Sequence, residues 1–190
     1  MGAAFLQALR ACLGDPNVLV DRDLDAFEVD WRKRYRGRAL AVARPSCTAE
    51  VAAVVRLGAS HGVPIVPQGG NPGLVGGGVP DASGRQLVLS LARMARVRAV
   101  DADNLTATVE AGCVLQDVQA AATAHGLLFP LRLGSEGSCT IGGNLASNAG
   151  GTQVLRYGNA RELCLGLEVV TAAGEVWDGL VRYGTVPPTD

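Results

Sequence analysis

The segment Pro67–Gly78 reads PQGGNPGLVGGG and holds six glycines, Gly69, Gly70, Gly73, Gly76, Gly77 and Gly78. Glycine costs conformational entropy wherever the chain is ordered. Such a density therefore implies φ > 0 turns or a close approach of backbone to another group. Successive N–H groups bare of side chains form a nest for anions. A second run, Gly134–Gly151, reads GSEGSCTIGGNLASNAGG. Either run alone reads equally well as a hairpin or a surface turn. Together they point to two loops clasping one large anionic ligand.

The first loop follows an apolar stretch, Val63–Val66, as nucleotide-binding loops do. A Rossmann turn would open directly into a helix whose N-terminus meets the pyrophosphate. Here Pro72, Pro80, Asp81 and Ser83 follow with no helical periodicity. The loop must therefore hold phosphate by amide dipoles. In the second run, Ile141, Gly142, Gly143 and Asn144 could begin a helix and offer free N–H donors. Asn144 and Asn148, four apart, could aim amides at one ligand. The competing reading makes Asn148–Gly151 a helix C-cap and turn. Arg156–Tyr157–Gly158 could set a cation and a ring beside the ligand, or could be a surface ion pair and a packed tyrosine. His125, before Gly126, reads as a helix C-terminal residue.

Around these loops the pattern predicts a helix over Gly2–Leu13, a polar linker over Asp30–Arg38 and a strand at Leu40–Ala43. Ser46 or Thr48 would cap a helix from near Ala49 to Gly62. Strands are predicted at Val63–Val66, Gln86–Ser90, Arg98–Asp101 and Thr106–Glu110, the last two joined at Asp103–Asn104. Helices follow at Val114–His125 and Ile141–Ser147, then strands at Leu163–Thr171 and Val176–Trp177. This mixed order argues α+β rather than repeated βαβ units.

Composition excludes much else. The chain has 190 residues, 48% hydrophobic, with a formal net charge of −1, which supports a packed core and gives no global field for nucleic acid or a membrane surface. Lys33 is the single lysine against sixteen arginines, and it lies in neither loop, which removes a P-loop or a pyridoxal site. The cluster Arg32, Lys33, Arg34, Arg36 and Arg38 carries no nucleic-acid motif. His61 and His125 stand in no metal-ligand spacing, so no metal is expected. Five scattered cysteines without C-x-x-C fit reduced thiols and a cytoplasmic location. The N-terminus lacks a signal-peptide pattern, and no apolar stretch approaches the roughly 20 residues of a membrane span.

The ordered motifs PQGGNPGLVGGGVP, LSLARM, PLRLGSEGSCTIGGNLASNAGG, LRYGNARELCLGLEVV and AAGEVWDG resemble those of FAD-linked oxidases and dehydrogenases of the vanillyl-alcohol oxidase / para-cresol methylhydroxylase superfamily. The resemblance runs from about Asp30 to Gly179 and is nearest to the D-2-hydroxyacid dehydrogenase branch. That branch includes D-2-hydroxyglutarate dehydrogenase, D-lactate dehydrogenase and the flavin subunit of glycolate oxidase. It implies an N-terminal helix and linker over 1–38, a FAD-binding domain over 39–180 in two subdomains (39–100 and 101–180), and an irregular tail over 181–190. It implies that Pro67, Gln68, Gly69, Gly70, Asn71, Gly73, Leu74, Val75, Gly76 and Gly77 wrap the pyrophosphate. Pro130, Leu133, Gly134, Ser138, Ile141, Gly142, Gly143 and Asn144 would line flavin and diphosphate. Asn148, Gly150, Gly151, Arg156, Tyr157 and Gly158 would complete the flavin side, and the backbone at Val169 would meet adenine. Members with covalent FAD carry a His where this chain has Asn71, which implies non-covalent flavin.

Members of that family continue into a final FAD-domain strand and a cap domain that binds a small 2-hydroxy acid. This chain instead runs VRYGTVPPTD after Leu180. The expectation is a chain truncated before that strand and the cap, with a frameshift near Gly179, a fragment and a natural short protein as the open alternatives. No catalytic residue is assigned within it, and the electron acceptor is not identified.

Overall fold

Phe5, Leu9 and Leu13 recur at intervals of four and are buried along one face of the first helix, α1 (Gly2–Leu13). Gly14, at φ 78°, stops the helix with Pro16 behind it. The computed structural model describes residues 2–180. The expected tail over 181–190 lies outside the described residues.

A short strand, β1 (Val18–Leu19), pairs antiparallel with β2 (Ala39–Ala43). Helix α2 (Thr48–His61) leads to β3 (Ile65–Gln68), and β4 (Gln86–Ser90) inserts parallel between β2 and β3. The sheet order is β1-β2-β4-β3. Alternation sorts its two faces. Ala41, Ala43, Leu87 and Leu89 pack with Phe5, Leu9, Val51 and Val54, whereas Val42 and Val88 face Leu24, with Phe27 against them. The N-terminal helix thus shares the core of the first sheet.

Two local expectations are corrected here. Helix α2 has Cys47 at its N-cap without a side-chain cap bond. Instead the Glu50 carboxylate reaches back and accepts from the Ser46 N–H at 2.7 Å and its hydroxyl at 3.1 Å. The Thr48 hydroxyl is drawn away to Glu168. The predicted linker Asp30–Arg38 is a tight antiparallel turn, with Val29 bridged to Arg36. Two buried carboxylates, Asp30 within it and Glu28 just before it, satisfy the backbone of the turn and of the strand that follows. Asp30 accepts from the N–H groups of Tyr35 (2.7 Å) and Arg32 (3.1 Å), and Glu28 accepts from that of Ala39 (2.7 Å).

Beyond Ser90 come the hairpin β5 (Val97–Asp101) and β6 (Thr106–Val109), α3 (Leu115–Ala124), α4 (Ile141–Ser147), α5 (Val154–Tyr157) and the ribbon β7 (Glu168–Val170) with β8 (Val176–Asp178). A separate core of Leu115, Leu131, Cys139 and Ala160 supports the second glycine-rich run. The strand predicted over Leu163–Thr171 contracts to Glu168–Val170. Its partner offers only three residues, Val176–Asp178, to the ladder, and Leu163 packs instead into the core beneath α4.

Candidate functional site

Strand β3 delivers the chain into the first glycine loop, and Gln68 braces that loop from below. Its buried amide donates to Phe27 O at 2.9 Å and to Gly78 O at 2.6 Å. Asn71 takes φ 54° and donates its side-chain amide to Val29 O at 3.0 Å. Gly76, at φ 71°, is in the left-handed region, and a Cβ there would lie 2.9 Å from the Tyr35 ring. Among the described residues, the N–H groups of the loop from Gly70 to Gly78 donate to no protein acceptor. That row of unspent donors is what an anion nest requires.

Eight glycines of the two runs fall into two kinds. At Gly69 and Gly70 a side chain would overlap Thr140 Oγ1 and the Ser138 carbonyl oxygen, so these glycines let the two loops touch. Gly151 meets the Arg132 carbonyl in the same way, Gly150 meets Asn159, and Gly142 lies against Ala111. Gly73, Gly77 and Gly134 instead face open space, with nothing within 4 Å of the point a Cβ would occupy. The first kind builds the cradle, and the second kind leaves room for a ligand.

The start of α4 holds fewer free donors than its sequence suggests. Ile141 N–H donates to Cys113 O at 2.9 Å and Gly142 N–H to Ala111 O at 2.8 Å. The Gly143 N–H has no protein acceptor among the described residues. Asn144 and Asn148 part company. Asn148 sits at the left-handed C-cap, φ 49°, and its side-chain oxygen accepts from the Arg161 N–H at 3.1 Å. Asn144 is buried, and its Nδ2 has no partner; Thr140 Oγ1 and Gln153 Oε1 are likewise buried and unpartnered. Buried polar atoms without partners are costly and ask for an explanation. The sequence motifs do not single out Thr140 or Gln153. The one signal for Thr140 is its N-cap position, ahead of Ile-Gly-Gly.

Other expected residues lie apart. Leu74 and Val75 are exposed in the first loop, Leu133 packs against the second core, and Pro130 is half-buried. The Arg156 guanidinium stacks over the Tyr157 ring at 5.2 Å, and Gly158 follows at φ 81°. Pro67, Ile141, Gly142, Asn144 and Val169 border a cavity of about 2080 Å³ between α2, the β5–β6 hairpin and β7. A charge network ties these parts together. Arg96 donates to buried Glu110 through Nε at 3.0 Å and Nη2 at 2.7 Å, and Arg98 joins Glu110 to Glu168. Bonding to Arg96 holds the Glu110 carboxyl below the usual range, and bonding to Arg98 and Thr48 does so for Glu168. Ala111 and Cys113, the acceptors for α4, follow Glu110 directly. Among the described residues no three His, Cys, Asp or Glu side chains gather to hold a metal ion, and no helix is long and apolar enough to cross a membrane.

Two touching loops, a row of free amides and unpartnered buried polar atoms define a domain that holds an extended, diphosphate-bearing ligand. A family model described as FAD binding domain matches residues 39–179, and the chain belongs to that family. The unspent donors and the open faces of Gly73, Gly77 and Gly134 fit FAD as its cofactor.

Curated relatives include a D-2-hydroxyglutarate dehydrogenase of Xanthomonas citri pv. viticola, 46% identical over 154 residues, covering 81% of this chain and 32% of that protein. A putative mitochondrial D-lactate dehydrogenase of Schizosaccharomyces pombe is 35% identical over 184 residues, covering 93% and 35%. The chain spans about a third of the length of the curated relatives it matches. Among solved structures, 6-hydroxy-D-nicotine oxidase from Arthrobacter nicotinovorans is 27% identical at TM-score 0.73, over 84% of this chain and 34% of that one. The structure of p-cresol methylhydroxylase matches at TM-score 0.70 and 23% identity, over 92% and 34%, which speaks for the fold. The mixed α+β architecture is thus of the p-cresol methylhydroxylase type.

Proposed function

We propose that this chain is the FAD-binding portion of a flavoprotein dehydrogenase that oxidises a D-2-hydroxy acid to the 2-oxo acid. The observation that carries the reading is the 46% identity to a D-2-hydroxyglutarate dehydrogenase across the segment that contains both loops. When bound, FAD supplies the two-electron acceptor for oxidation of the alcohol carbon. The residues of this chain bind and orient. The amides of Gly70–Gly77 receive the diphosphate oxygens, Thr140 and Asn144 offer buried polar atoms along the seam, Gly143 offers a free N–H, and Gly134 leaves space at the second loop. Pro67, Gln68, Pro130, Leu133, Ser138, Ile141, Gly142, Gly150 and Gly151 shape that cradle. Arg156, Tyr157, Gly158 and Asn148 form its outer side, with Val169 at the adenine end. Asn71 stands where members with covalent FAD carry a His, and its amide nitrogen is no nucleophile, which supports a flavin held without a covalent bond.

No group of this chain is assigned as the base that takes the hydroxyl proton. The substrate candidates are D-2-hydroxyglutarate, D-lactate and glycolate. Five free cysteines support a reducing compartment such as the cytoplasm, while several relatives carry mitochondrial in their names. A second reading is a flavin-binding module without turnover of its own: the free amides of the first loop serve binding alone, and no group of the chain is assigned to the proton transfer.

The test is a visible spectrum of the purified chain after incubation with FAD and gel filtration, then anaerobic addition of each hydroxy acid. Retained flavin that bleaches with one D-2-hydroxy acid supports the dehydrogenase. Retained flavin that no acid bleaches selects the binding module. A colourless, folded chain sinks both.

A further inference from the structure

The turn Asp30–Arg36 presents an unusual set of side chains to solvent. Trp31 is 71% exposed and Tyr35 48% exposed. Arg32, Lys33 and Arg34 are exposed beside them and make no ion pair with a described carboxylate. Arg36 has Asp25 at 3.3 Å. A disordered basic stretch would be an ordinary solvated surface, but this one is built. Buried Asp30 accepts from the N–H groups of Arg32 and Tyr35 through its carboxylate and from that of Lys33 at 2.9 Å through its carbonyl. Its own N–H donates to Tyr35 O at 3.1 Å. Lys33 is held at φ 56°, in the left-handed region, where a non-glycine residue is strained. The base of the turn is fixed to the first glycine loop through Asn71 and Val29 and through the Tyr35 ring against Gly76. The fold thus uses a buried carboxylate and a strained residue to fix the backbone of a turn that carries an exposed tryptophan and three cations.

We infer that this Asp30-braced tip, Trp31 with Arg32, Lys33 and Arg34, is a docking site for an acidic surface of a partner protein. Trp, Tyr and Arg are the residue types most enriched among the anchors of protein interfaces. The unpaired cations select an acidic counterpart and speed its encounter. Nucleic acid is the weaker match. It is bound by cations spread along a face, whereas these sit on one turn of a chain whose net charge is −1. The inference is independent of whether flavin is bound.

The test uses the full chain and a fluorescein-labelled 20-residue poly-L-glutamate peptide, followed by fluorescence anisotropy. Binding should occur at low salt and weaken about tenfold or more in the triple variant Arg32→Glu, Lys33→Glu, Arg34→Glu. Trp31→Ala should weaken it severalfold while Trp177→Phe leaves it unchanged. Thermal melts of each variant should match the parent, since every substituted tip residue is exposed. The inference is overturned by no binding, by equal binding of the triple variant, or by tighter binding of a 20-nucleotide single-stranded DNA or of phosphatidylserine vesicles.

Discussion

A methyl group on Gly70 would overlap the carbonyl oxygen of Ser138, so the two glycine-rich loops touch where only a hydrogen fits. Gly70→Ala must push them apart. Overpacking of this kind costs about 1–3 kcal/mol. The expected result is a lower melting temperature without FAD together with weaker flavin uptake. Gly73→Ala and Gly77→Ala meet open space, so the melt should hold within about 1 kcal/mol of the parent. Flavin fluorescence titration should nevertheless show weaker binding. Parental affinity in both variants would mean that the ligand does not lie on those faces.

Asn144 carries a buried amide nitrogen without a partner. If FAD supplies the acceptor, Asn144→Leu removes an unmet donor from the empty fold and a met one from the complex. The chain without FAD should melt at or above the parental temperature. FAD should bind roughly tenfold more weakly, the worth of about 1–2 kcal/mol for such a bond. Unchanged affinity would assign this amide a purely structural role.

Glu110 and Glu168 titrate below the ordinary carboxylate range in the fold, because Arg96 bonds the first, and Arg98 with Thr48 the second. The unfolded chain therefore binds more protons than the fold at acid pH. The stabilisation they give is complete above the unfolded glutamate value of about 4.3 and is lost as pH falls through the lower folded values. Arg96→Ala returns Glu110 toward its ordinary value and should move the acid-unfolding midpoint upward. Melts between about pH 3 and pH 7 would check this, and an unmoved midpoint would refute it.

Flavin should stabilise the chain by mass action. At 100 times its dissociation constant FAD adds about 2.7 kcal/mol, which for a chain of this size raises the melting temperature by about 5–10 °C. A differential scanning melt with graded FAD would show a rise that grows with concentration. A melt indifferent to FAD would contradict the anion-nest reading of the first loop.

The periodic elements are legible in the sequence. Helix α1, helix α4 and strand β4 fall on their predicted bounds, since each carries its own signal: apolar spacing of four, a glycine-asparagine helix start, or a short apolar run. The departures fall where a residue answers to a distant partner. Thr48 has the residue type of a cap, yet Glu168 takes its hydroxyl from 120 positions away. Asp30–Arg38 has the composition of a linker, because burial of Glu28 and Asp30 cannot be seen in a polar string.

The candidate site divides the same way. The sequence by itself determined that the loops are glycine-rich and follow a strand, because bare amides and missing side chains are properties of residue type. Only the tertiary structure decided which glycines serve contact between the loops and which face open space. It also separated Asn148, spent on Arg161, from Asn144, which stays unpartnered. Whether a backbone or amide group is spent depends on what the fold brings within about 3 Å of it, and that distance is set by packing between segments far apart in the chain.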